Sequence, residues 1–72
     1  MKKMIGCFTI ENAQGKEVDR FEFMQNDSRG TIRNNSGTLF DGYYFEAWGV
    51  WQEKKEDMKM VEMIGCKIID VR

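Results

Sequence analysis

Seventy-two residues give room for one small domain, spanning residues 1–72. Its 11 basic and 12 acidic side chains leave a net charge of −1, which argues against a chain whose affinity rests on nucleic-acid phosphates. Its 42% hydrophobic content, with two tryptophans, two tyrosines and five phenylalanines, excludes a disordered polymer and predicts a compact core.

The N-terminal run from Met4 to Ile10 is closed by Glu11, too short for the apolar part of a signal peptide. Nothing approaches the ~18 apolar residues of a membrane span, so a cytoplasmic protein with no membrane partner is expected. Met4 to Glu11 reads as a strand, followed by an Asn12-Ala13-Gln14-Gly15-Lys16 turn. A second strand runs from Glu17 to Gln25, with Phe21 and Phe23 on one face and Arg20, Glu22 and Met24 on the other. Two such runs joined by a short glycine-containing loop predict a β-hairpin.

Turn chemistry recurs at Asn26-Asp27-Ser28-Arg29-Gly30 and at Asn34-Asn35-Ser36-Gly37, leaving a short strand at Thr31-Ile32-Arg33. Thr38-Leu39-Phe40 then meets Asp41-Gly42, a favoured pair for a tight hairpin. Beyond it, residues 43–51 are dense in β-forming aromatics and read as another strand. On a strand, Tyr43, Phe45, Ala47 and Trp51 would face the core, with Tyr44, Glu46, Trp48 and Val50 on the opposite face.

Residues 52–63 allow two readings. Good helix formers suggest a short helix ended near Gly65. The absence of a clean apolar stripe favours a solvated loop at Glu53–Asp57 and a returning strand, Met58 to Asp70, kinked at Gly65. Met4-Ile5-Gly6-Cys7 recurs as Met63-Ile64-Gly65-Cys66, which suggests that the first and last strands share similar environments, each bent or bulged at its glycine. The expected fold is mainly β: a five- to six-stranded antiparallel meander curled into a small, partly closed barrel. The alternative is α+β with a short helix at about 52–63.

The chain has no histidine, which removes the usual general base, the Ser-His and Cys-His nucleophile pairs and the commonest metal ligand. Cys7 and Cys66 cannot alone form a structural metal site and are expected as reduced, buried thiols. Glu46 among aromatics and the matched Glu11 and Asp70 are carboxylates better explained as solvated groups. No glycine-rich phosphate loop occurs and no motif identifies a family. No enzyme, cofactor or metal is expected.

A chain this short buries only about 60% of the surface it exposes unfolded. So many rings should therefore overflow the core. The expected function is a protein-binding module, an adaptor or an occluding inhibitor, possibly self-associating as a homodimer. Its contact surface would draw on Tyr44, Trp48, Trp51, Met58 and Met60. The alternative is single-stranded nucleic-acid binding through Arg20, Arg29, Arg33 and Tyr44. A third reading is a protein that sequesters a small ligand between subunits.

Overall fold

A computed structural model describes the backbone of residues 2–63 and 66–70 and the side chains of residues 2–58 and 66. Strands β1 (Lys2–Glu11), β2 (Glu17–Asn26), β3 (Arg29–Asn34) and β4 (Gly37–Tyr43) form an antiparallel meander. Helix α1 (Tyr44–Met63) follows, and the short β5 (Lys67–Asp70) pairs with β1, giving the order β4-β3-β2-β1-β5.

The β1–β2 hairpin forms where Asn12 can organise its turn. Its side-chain Oδ1 accepts from the backbone N–H groups of Gln14 and Lys16, each at 3.0 Å. Gly15 takes a φ of +78°, open to glycine at little cost. The next two turns stand at the predicted clusters. Asp27 adopts a φ of +54° between β2 and β3, and Asn34 Oδ1 accepts from Ser36 N–H before Gly37. The predicted hairpin at Asp41-Gly42 does not form. Both residues lie inside β4, where Asp41 pairs with Thr31 and Gly42 with Gly30. The turn preference of this dipeptide yields there to the ladder that β3 offers.

The sheet stays open, because β4 and β5 are opposite edges rather than partners. The barrel expectation fails at residues 44–51, which form the start of α1 and not a strand. The reason is a face that needs covering: Phe8, Ile10, Phe21, Phe23 and Ile32 are buried in one cluster with Ala47, Trp51 and Met58. Tyr44, Ala47, Trp51 and Met58 recur at helical spacing, so a helix delivers all of them to that cluster while a strand would split them between faces. The apolar load of the sheet thus overrides the local β preference of the aromatics. Residues 52–63 continue the same helix, so the expected loop at Glu53–Asp57 is also replaced by α1.

Two glycines let α1 lie down. A β-carbon at Gly30 on β3 would sit 2.6 Å from Ala47 Cβ and 3.3 Å from Tyr44 Cα. At Gly6 on β1 it would sit 2.9 Å from the Trp51 indole. α1 therefore crosses the sheet from β3 to β1, over Phe23 of β2, whose ring meets both Tyr44 (5.7 Å) and Trp51 (5.5 Å). Trp51 also stacks on Phe8 at 4.9 Å. Gly6 marks the expected irregularity, since the β1–β2 register shifts between Met4 and Gly6.

The two copies of the Met-Ile-Gly-Cys segment begin in different elements. Met4 lies in β1 and Met63 at the end of α1, although the strands carrying Ile10 and Ile69 are direct neighbours. The kink expected at Gly65 lies outside the described residues.

Candidate functional site: the outer flank of the helix

The large apolar side chains left in solvent concentrate at the start of α1 and on β4. Phe45 is 87% exposed, Tyr43 61%, Trp48 49% and Leu39 42%. Phe45 and Trp48 are three apart on a helix and hence surface neighbours. They point outward because Tyr44, Ala47 and Trp51 use the inner face. Gly49 lies one turn from Phe45, and a β-carbon there would touch nothing within 4 Å. The flank therefore shows two large apolar groups beside a bare stretch of helix backbone.

The structure divides the predicted contact residues. Trp48 is on the outer flank. Tyr44 is half-buried against Phe23, and its N–H donates to the Ser28 carbonyl at 2.8 Å, tying the helix start to the β2–β3 turn. Trp51 and Met58 are buried, at 3% and 8% exposure, and belong to the core. Their place on the helix turns them towards the sheet. The backbone at Met60 is helical, but its side chain lies outside the described residues. Phe45 and Tyr43, expected in the core, are surface residues. A helical reading of 44–51 was the signal that would have found Phe45, three positions before Trp48.

Arg20, Arg29 and Arg33 share the sheet face away from α1 but are spread along it, Arg20 lying six residues along β2 from Asn26, the register partner of Arg29. Arg20 bridges Glu22 at 3.4 Å and reaches the Thr9 hydroxyl at 3.5 Å. Arg29 bridges Asp41 at 3.4 Å, and its guanidinium lies 5.6 Å from the Tyr43 ring centre. Thr31 donates to the same Asp41 carboxylate at 3.3 Å. Such solvent-exposed pairs contribute little to stability. Tyr44, the ring expected beside these arginines, is on the opposite side of the sheet under α1.

Cys7 is buried and Cys66 half-buried, and neither is in a disulfide. Glu11 pairs with Lys67, which puts Cys66 level with Asn12, at the far end of β1 from Cys7. At about 3.4 Å per residue this separation is on the order of 15 Å, well beyond the span of a disulfide.

Among the described residues, no group of three or more His, Cys, Asp or Glu is placed to hold a metal ion. No described helix is long and apolar enough to cross a membrane. No protein-family model, curated protein or solved structure matches the chain.

Proposed function

We propose that the chain is a small, non-enzymatic, cytoplasmic protein-binding module, which acts as an adaptor or occluding inhibitor and also self-associates. Its contact surface is the outer flank of α1, centred on Phe45 and Trp48. The observation that carries this reading is the 87% exposure of Phe45 beside a half-exposed Trp48. Large rings of this kind bury about 150–250 Å² each when covered, enough to anchor an interface. Gly49 adds support. Glycine in a helix interior costs roughly 1 kcal/mol relative to alanine. Among the described residues nothing packs against it to offset that cost, whereas a partner approaching the backbone there would.

The test is sedimentation over a concentration series, paired with affinity capture from cells using wild-type protein and a Phe45→Ala/Trp48→Ala variant. Concentration-dependent association or specific capture, lost in the variant, supports the reading. A strict monomer whose captured proteins are unchanged by the variant overturns it. Single-stranded nucleic-acid binding has weaker support, because Arg20 and Arg29 already pair with Glu22 and Asp41 and Tyr44 is on the other face.

A further inference from the structure

The sheet face away from α1 carries a small cavity of about 80 Å³, lined by Lys2 of β1, Met24, Gln25 and Asn26 of β2, and Thr31 and Arg33 of β3. Strand register builds it. Lys2 is opposite Asn26 and Met24 opposite Thr31, while Arg33 stands two residues beyond Thr31 on the same face. Met24 contributes an apolar wall, and the polar rim sets the Lys2 and Arg33 cations beside the Gln25 and Asn26 amides and the Thr31 hydroxyl.

Charge decides what the cavity suits. Arg20 and Arg29, the other cations of this face among the described residues, are engaged by Glu22 and Asp41. Glu22 is the register partner of Arg33, yet its carboxylate turns to Arg20. Asp41, next to Thr31, is occupied by Arg29 and by the Thr31 hydroxyl. Among the described residues, neither Lys2 nor Arg33 pairs with a carboxylate. The cavity therefore presents two uncompensated positive charges, one a planar fork and one a point charge, with the Asn26 amide between strands.

We infer that this cavity binds the phosphate group of a phosphate monoester. Such a group carries about −1.5 to −2 charges at neutral pH, matching Arg33 and Lys2 together. The Arg33 guanidinium offers two parallel N–H donors to two phosphate oxygens, and the Lys2 ammonium supplies the second charge. A simple carboxylate brings one negative charge to two positive ones. A polyanionic strand would need further free cations along the face, and Arg20 and Arg29 are engaged. The cavity holds little more than the phosphate, so the body of the ligand rests outside it. The ligand is thus inorganic phosphate or a phosphorylated small molecule. The inference does not rest on the helix flank, which is on the opposite face.

Nitrogen–proton correlation spectra of the ¹⁵N-labelled protein, titrated at constant ionic strength with inorganic phosphate, ribose 5-phosphate, sulfate and oligothymidylate, test it. The expected result is saturable shifts confined to residues 24–26 and 31–33, with the phosphate ligands preferred to sulfate. Losing charge-assisted hydrogen bonds in Arg33→Gln should weaken binding about 10-fold or more, with spectral dispersion kept. Lys2→Gln should weaken it less. Tighter binding of ribose 5-phosphate than of inorganic phosphate would identify a phosphorylated small molecule, and equal binding the free ion. Shifts that never saturate, equal response to sulfate, or unchanged affinity in Arg33→Gln would overturn the inference. So would an oligothymidylate complex that is tighter than either phosphate and spreads to Arg20 and Arg29.

Discussion

Gly6 and Trp51 fit as a matched pair: the indole occupies the space a side chain on residue 6 would need, with Cζ2 and Nε1 2.9 Å from the missing β-carbon. The indole is held there by Phe8 at 4.9 Å and Phe23 at 5.5 Å, so it has nowhere to retreat. Gly6→Ala should therefore cost roughly 1–3 kcal/mol, the usual range for overpacking a tight core. Urea denaturation measures it. Because the clash needs both partners, the same substitution in a Trp51→Phe background should cost measurably less.

Gly30→Ala should be the more damaging of the two glycine substitutions. Its nearest neighbours are Ala47 Cβ at 2.6 Å, Phe23 Cε1 at 3.1 Å and Tyr44 Cα at 3.3 Å, so the helix itself would have to lift. Thermal denaturation should rank the variants wild type, Gly6→Ala, Gly30→Ala. Gly30→Ala paired with Ala47→Gly should recover part of the loss.

The two tryptophans should separate cleanly. Trp51→Ala removes a ring that is 3% exposed and should cost about 3–5 kcal/mol, a large share of the stability of a small domain. Trp48→Ala, on the outer flank, should change stability by no more than about 0.5 kcal/mol. Circular dichroism during denaturation distinguishes these outcomes.

Gly49→Ala makes an opposite prediction for fold and contact. The added methyl meets nothing within 4 Å, so the helix should gain roughly 0.5–1 kcal/mol. If a partner approaches the backbone at this notch, association should weaken while the melting temperature rises. Sedimentation and calorimetry on the same sample check both signs.

Thiol chemistry should follow placement. Under native conditions Ellman's reagent should modify half-buried Cys66 and spare buried Cys7 until the protein unfolds. Oxidation should yield no intramolecular bridge, because β1–β5 pairing holds the two thiols apart.

What could be read from residues alone was local. The first hairpin was visible because Asn12 and Gly15 carry the turn and the Phe21/Phe23 alternation carries the strand. The clusters at 26–30 and 34–37 likewise announced their turns. The helix was hidden because Tyr43, Phe45 and Trp48, which lie outside its inward stripe, blurred a 3.6-residue period and added β preference to the segment. The true stripe of Tyr44, Ala47, Trp51 and Met58 makes sense only once Gly6 and Gly30 are known to offer it a seat, and those glycines are far away in sequence. Overflow of rings from a small interior was legible as a quantity. Which rings overflow was not, since Phe45 leaves the expected core face for solvent when a strand becomes a helix. The division of the arginines into engaged and unengaged charges needed the register of four strands.

The route of the chain also sets an order of assembly. Every pairing from β1 to β4 joins sequence neighbours, whereas Glu11 meets Lys67 only after the intervening chain has been laid down. Closing so long a loop is entropically dear, and non-local pairings are correspondingly slow. The meander should therefore gather first, the helix should settle on it, and β5 should arrive last. In native-state hydrogen exchange the amides of β5 should open at lower free energy than those of β2, so that the molecule frays from its final strand inward.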